Sequence, residues 1–179
     1  SGNLPELMEP SMLKGAFHNH TTASDGSASL VQMAQAAQEL GWEFLGIADH
    51  SQILQVASGL SPDQLVSQSA EIRALNENWS DKGLDFRLFH GNECDILPDG
   101  SLDYTDEERS ILDHVVGSVH QLPTWMKRDE VENTETLIRA IEQPSFTILG
   151  HPTGRILGGR DGFPVDLHAV LRRMGELNA

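Results

Sequence analysis

The residues in this sequence best suited to chemistry are histidines and carboxylates. His18 and His20 stand two apart in GAFHNH, and Asp25 follows in TTASDGS. His50 closes EFLGIADH, Glu93 closes FRLFHGNE, His120 closes HVVGSVH and His151 closes SFTILGH. Imidazole and carboxylate donors together suit divalent zinc, manganese or iron. A single His-x-His pair carries little weight. The weight lies in the recurrence: each short apolar or β-branched run ends in a metal-ligand type. A strand's side-chain period of two puts His18 and His20 on one face. Glu93 is the natural bridge between two cations, because a carboxylate has two oxygens to share.

The elements that must position these residues alternate in type. Strands are expected near 15–20, 43–50, 86–93, 114–120 and 145–151, with helical patterns between them. That alternation signals βαβ units, a parallel sheet and an α/β fold. The ends of parallel strands then share one rim, where such folds carry their chemistry. The helix 29–40 should stop at Gly41, a left-handed cap. Ser61-Pro62-Asp63-Gln64 opens a second helix, running to about Trp79, with a capping box and proline in the first turn. Thr105 and Glu108 form a similar box. Residues 133–143 read as helix up to Pro144. Asp166 caps a last helix with the apolar stripe Leu167, Val170, Leu171, Met174 and Leu177. This helix reaches Ala179 without a stop signal, so a chain cut short at its C-terminus is expected. The leading Ser-Gly reads as a cloning scar.

The remaining polar residues have plainer expected roles. His90 lies three before Glu93 and faces the other side of the sheet. His114 has the parity of His120 but sits six residues upstream, about 20 Å along a strand. His168 falls beside the apolar stripe of the last helix. Cys94 and Asp49 alternate away from Glu93 and His50, so Cys94 should pack as a small hydrophobe and Asp49 should make a structural salt bridge or hydrogen bond. Asp95, Asp99 and Asp103 lie in a turn-rich segment, with Asp95 near enough to support a ligand. Arg155 and Arg160 follow His151, and a guanidinium fork suits phosphate.

The 179 residues suit one domain spanning the chain, 1–179. No run is long and apolar enough for a membrane span. The single cysteine excludes an internal disulfide, which fits the cytoplasm. A net charge of −15 argues against a lone nucleic-acid binder. Such a domain repels phosphate unless bound cations reverse the local field. There is no Gly-rich phosphate loop, nucleophile elbow or basic stretch with interleaved aromatics.

FHNHTTASDG, GIADHS, GNECDILPDGSLD, VVGSVH and LGHPTGR together resemble the PHP family, named for polymerase and histidinol phosphatase. GLSPDQL, LIRAIEQP and GHPTGRILGGRDGFPVD resemble, more narrowly, the C-terminal PHP domain of bacterial family X DNA polymerases. The resemblance implies a distorted (β/α)7 TIM-like barrel, incomplete here, with two or three divalent cations, Mn or Zn foremost. It implies a first site of His18, His20 and Glu93, a second of Glu93, His120 and His151, and a third using Asp25 and His50. A terminal Asp-x-His completing the first and third is absent from this sequence. The implied activity is a Mn-dependent 3′–5′ exonuclease or 3′-phosphatase on DNA ends, beside a polymerase domain in a repair enzyme. The alternatives are a free-standing phosphatase on a small phosphomonoester, such as histidinol phosphate or a nucleotide, and a non-catalytic structural module.

Overall fold

A computed structural model describes residues 7–177. The leading Ser-Gly and the final Ala179 lie outside the described residues. The elements run α1 (Leu30–Glu39), β1 (Phe44–His50), α2 (Pro62–Asp81), β2 (Arg87–Asp95), α3 (Asp106–Arg109), β3 (His114–Ser118), α4 (Leu122–Trp125), α5 (Glu130–Ile141), β4 (Phe146–Leu149) and α6 (Leu167–Leu177). The four strands are parallel and lie in sequence order, β1-β2-β3-β4. The fold is therefore α/β, and its parallel strands in sequence order are those of part of a TIM-like barrel. Register places His50 beside Glu93, and Glu93 beside Val116.

Local signals explain most boundaries. Ser29 and Ser61 accept from the backbone N–H of Gln32 and Gln64, and those glutamines return the bond, giving two complete capping boxes. Gly41 takes φ 75°, the left-handed turn that ends α1. Thr105 caps α3 in the same way, and Asp166 Oδ1 accepts from Ala169 N at the start of α6. Helix α5 starts earlier than the expected residue 133, because Asp129 caps it by accepting from Glu132 N. The four-residue α4 has no strong sequence signal.

The expected strand 15–20 is not a strand. Its segment lies along the outer edge of β1, where Lys14 O accepts from Glu43 N at 2.8 Å, Ala16 O from Gly46 N at 2.7 Å and Asn19 O from Ala48 N at 2.7 Å. From residue 16 to 19 is one step more than from 46 to 48, so the ladder cannot stay in register. The Asn19 side chain fills the gap, donating from Nδ2 to Gly46 O at 3.0 Å and Ala16 O at 3.3 Å. Three other strands also end differently from expectation. β3 and β4 stop two residues before His120 and His151, and β2 runs two past Glu93.

Two apolar clusters hold helices to the sheet. Leu45, Ile47 and Leu88 point out to Leu30, Ala34, Ile72 and Trp79 on α1 and α2. Val115, Cys94 and Trp125 join Leu137, Ala140 and Val170 on α5 and α6. Cys94 is fully buried, as a small hydrophobe would be, and burial pushes its thiol pKa up. On the inner face, His114 donates from Nε2 to Phe17 O at 3.0 Å. Its ring fills the space left by Gly46 and Gly91, where a Cβ would overlap it. Phe17 packs its ring edge-on against His114, with centroids 5.1 Å apart. His168 is exposed on α6.

His90 is packed on the outer face of β2, 3 % exposed, with neither ring nitrogen in a well-directed hydrogen bond. Burial pushes its pKa down to about 4, against the opposing pull of Ile111 and Asp113. A histidine that is neutral when folded but protonates freely when unfolded weakens the fold as pH falls from its usual 6.5 toward 4. The shift corresponds to about 3 kcal/mol. His90→Leu, similar in volume, is expected to lose that part of the acid sensitivity. Urea midpoints of both proteins at pH 7 and pH 4.5, in chelator, test this; parallel losses would refute it.

Candidate metal centre

All seven expected ligand residues come together at the C-terminal ends of the strands. Glu93 lies at the centre, 1 % exposed. Its Oε1 is 3.1 Å from His18 Nε2, 3.3 Å from His120 Nε2 and 2.7 Å from His151 Nε2. Its Oε2 is 3.4 Å from His20 Nε2 and 3.0 Å from His50 Nδ1. Asp25 closes one side, with Oδ1 3.7 Å from His20 Nδ1 and Oδ2 3.5 Å from His50 Nε2. His20 and His50 stack with ring centroids 4.4 Å apart.

The carboxylate therefore divides its neighbours between two oxygens. Compact three-residue groups form from His18, Glu93 and His151, and from His20, His50 and Glu93. This grouping differs from the one implied by resemblance, which pairs His18 with His20. The difference arises because His20 reaches across to His50 on β1, while His18 faces His151 beyond β4.

Electrostatics follow from this crowding. Burial works against ionising Glu93, but hydrogen bonds from His120, His151 and His18 outweigh it and hold the carboxyl far below the usual carboxylate range. Burial likewise disfavours a cation at His120. Asp95 and Glu93 override it and raise His120 to about 9. Burial lowers the pKa of His50.

The surroundings fix the ligand geometry. Asp95 Oδ2 lies 3.1 Å from His120 Nδ1 and leaves Nε2 facing Glu93. Metal-binding histidines are commonly oriented in this way. Asp49, fully buried on the outer face, holds the loop that carries Asp25. Its Oδ1 accepts from Thr21 N at 2.7 Å and Ser24 Oγ at 2.6 Å, and its Oδ2 from Thr21 Oγ1 at 2.8 Å and Gln68 Nε2 at 2.7 Å. Asp103 plays a similar part in the loop after β1, accepting from Ile53 N at 2.9 Å. Asp99 serves a turn, accepting from Ser101 N and Oγ. Sequence reasoning foresaw hydrogen bonding by Asp49 but not that its partners span two other segments. It missed Arg109, 2 % exposed, which bonds Tyr104 O and Asp106.

The donor set fits divalent cations. It joins imidazoles to a shared carboxylate, a combination that Zn, Mn and Fe accept. His20 Nδ1 and His50 Nδ1 are buried without a well-directed hydrogen bond, so a cation bound there would displace none. Arg155 and Arg160 do not join the cluster. They are exposed on the loop after His151, and Arg160 donates from Nε and Nη2 to Gly154 O.

The sequence matches the PHP domain over residues 16–177. The chain belongs to the PHP family. Among its relatives is the "DNA polymerase/3'-5' exonuclease PolX" of Bacillus subtilis, 38 % identical over 173 residues, which are 97 % of this chain and 29 % of that protein. A "Probable phosphatase" of Clostridium acetobutylicum is 26 % identical over 90 % of this chain and 60 % of its own length. Another, from Clostridium botulinum, is 28 % identical over the same shares. The PHP chain thus spans under a third of the polymerase and about three-fifths of the phosphatases. No helix among its described residues is long and apolar enough to cross a membrane.

The Asp95–His120 pair gives a direct test of the PHP centre. In metal-free protein, protonated His120 contributes stability that is full below its usual 6.5 and fades as pH rises through about 9. A cation must displace that proton, so its affinity should climb about tenfold per pH unit across the same window. Asp95→Asn is expected to bring the His120 titration well below 9 and to weaken metal binding about 10–100-fold through lost orientation. Imidazole NMR titration and competition with a chelating dye read both effects. An unmoved His120 would show that Asp95 does not set it.

Proposed function

We propose that this PHP chain is a metal-dependent phosphoesterase that hydrolyses phosphate esters at DNA 3′ ends, as a 3′–5′ exonuclease or 3′-phosphatase within a family X DNA polymerase. The observation that carries the reading is Glu93, a buried ionised carboxylate with an imidazole group at each oxygen. His18, His20, Asp25, His50, Glu93, His120 and His151 are the proposed ligands of two or three cations, Mn or Zn, with Fe compatible. When bound, such cations acidify water and neutralise phosphoryl charge.

The protein's own part is to hold charge and geometry. Glu93 supplies a fixed anion between two groups of imidazoles. Asp95 orients His120, and Asp49 anchors the Asp25 loop. Arg155 and Arg160 contribute guanidinium donors for the substrate phosphate. With a net charge of −15, the domain relies on its cations to admit phosphate and on other domains for most DNA affinity. The polymerase relative, matched over almost the whole chain, supports DNA as substrate.

The phosphatases matched over 90 % of the chain favour a second reading, hydrolysis of small phosphomonoesters. Elemental analysis and an assay with Mn²⁺ on a 3′-labelled oligonucleotide separate the two. The proposal expects more than one cation per chain and shortening or dephosphorylation of the oligonucleotide. Turnover of small phosphomonoesters alone would select the second reading, and a metal-free, inactive protein would remove both.

A further inference from the structure

The loop after His151 carries a feature that phosphate chemistry alone does not use. Residues 155–160 read Arg-Ile-Leu-Gly-Gly-Arg and fold as a tight hairpin. Ile156 N donates to Arg160 O at 2.9 Å, and Arg160 N donates back to Ile156 O at 3.0 Å. Gly158 turns the tip at φ 73°, where a side chain would be strained. Arg160 also clips its guanidinium to Gly154 O at 2.8 Å and 3.1 Å, closing the root of the hairpin. The result is an ordered projection, not a slack loop.

Its tip is apolar. Leu157 is 82 % exposed and Ile156 54 % exposed. Single exposed apolar residues are ordinary on protein surfaces. Here two are adjacent, raised on a hairpin, bracketed by Arg155 and Arg160, and rooted four residues past a proposed metal ligand. The chain has only 12 basic residues against 27 acidic ones, so two arginines around one apolar tip form a local exception. One carboxylate, Asp161, follows the hairpin.

We infer that the 155–160 hairpin is a wedge for a polynucleotide end, with Leu157 and Ile156 packing on base faces while Arg155 and Arg160 take the flanking phosphates. The inference rests on the phosphoesterase reading and deepens it by naming the segment that would grip a polynucleotide substrate. A base presents an apolar face whatever its sequence, and its backbone presents anions at short repeat. An apolar pair between guanidinium groups matches both. A small phosphomonoester reaching the metal centre has no need of the tip, which makes the two substrates separable.

The test compares the wild-type chain, Leu157→Ser and Leu157→Trp, all metal-loaded. Fluorescence anisotropy reads binding of a labelled single-stranded oligonucleotide with phosphorothioate linkages, and p-nitrophenyl phosphate reports hydrolysis of a small ester. Leu157→Ser is expected to bind the oligonucleotide about five- to tenfold more weakly, the low end for one stacked base. Leu157→Trp should bind more tightly, with its indole fluorescence quenched by the DNA. Hydrolysis of p-nitrophenyl phosphate should stay within twofold across all three. Equal oligonucleotide affinities would overturn the wedge, as would a parallel loss of both readouts in Leu157→Ser. If the wild type hydrolyses the small ester but binds no oligonucleotide, the wedge fails while phosphoesterase chemistry stands. If it binds the oligonucleotide through Leu157 but hydrolyses neither p-nitrophenyl phosphate nor the same oligonucleotide made with ordinary phosphodiester linkages, the wedge stands and the catalytic reading fails.

Discussion

Replacing Glu93 with glutamine is expected to empty the metal centre and remove phosphoesterase activity while leaving the fold intact. The substitution keeps the size and shape of the side chain but removes its charge and turns one acceptor into a donor. Five imidazoles approach the two carboxylate oxygens within 3.4 Å. Any cation shared among them loses its anionic partner. The loss should exceed the ~10–100-fold typical of an outer-shell change. His120 also loses one of the two carboxylates that raise it to about 9, so its titration should fall.

The acid limb of stability should change as well. Because the folded carboxyl is held below its ordinary 4.5, Glu93 contributes stability above that pH and loses it as pH falls. The glutamine variant lacks this contribution. Metal content by elemental analysis, activity and far-ultraviolet circular dichroism test these expectations together. Retained metal and activity within tenfold of wild type, on a native-like fold, would refute the central role of Glu93.

The second large effect concerns Asp49, which faces away from the cations. Asp49→Ala is expected to cost about 3–5 kcal/mol, because it leaves several buried donors unsatisfied at about 1–3 kcal/mol each, less than additively. Four hydrogen bonds end on this carboxylate, two of them from Thr21. Bonds to a charged acceptor are each worth about 1.5–3 kcal/mol and do not simply add. Thr21, 1 % exposed, and Gln68, 6 % exposed, would be left with buried donors facing a cavity. The loop carrying Asp25 would also lose its anchor, so metal affinity should fall further than stability alone requires. Denaturant unfolding of metal-free protein and metal titration of the folded variant separate these effects. A loss under 1 kcal/mol would show that water replaces Asp49 readily.

The donors of the candidate site were legible because two local rules act together. Strand alternation fixes which side of the sheet a residue faces, and strand ends mark the rim. These rules singled out His50, Glu93, His120 and His151 and set His90, Cys94 and Asp49 on the other face; His18 and His20 were read from a strand that does not form, and Asp25 from the loop after it. Capping chemistry was equally local: Ser29, Ser61 and Thr105 each declare a helix start within four residues. The segment 15–20 marks the limit. Its composition is that of a strand, yet an extra residue against β1 and the competing amide of Asn19 leave it irregular. That outcome depends on a partner 27 residues away.

The sequence by itself determined the ligand types, their order along the chain and the α/β class, because these depend on side-chain identity and short periodicities. Tertiary structure alone decided how the imidazoles divide between the two oxygens of Glu93. It also decided that Asp95 holds His120 and that Asp49 ties the Asp25 loop to α2. Those choices rest on contacts between residues 19 to 75 positions apart, set by how strands and helices stack. No local pattern carries that information, since the same side chains could satisfy one another in several pairings until the sheet fixes their distances.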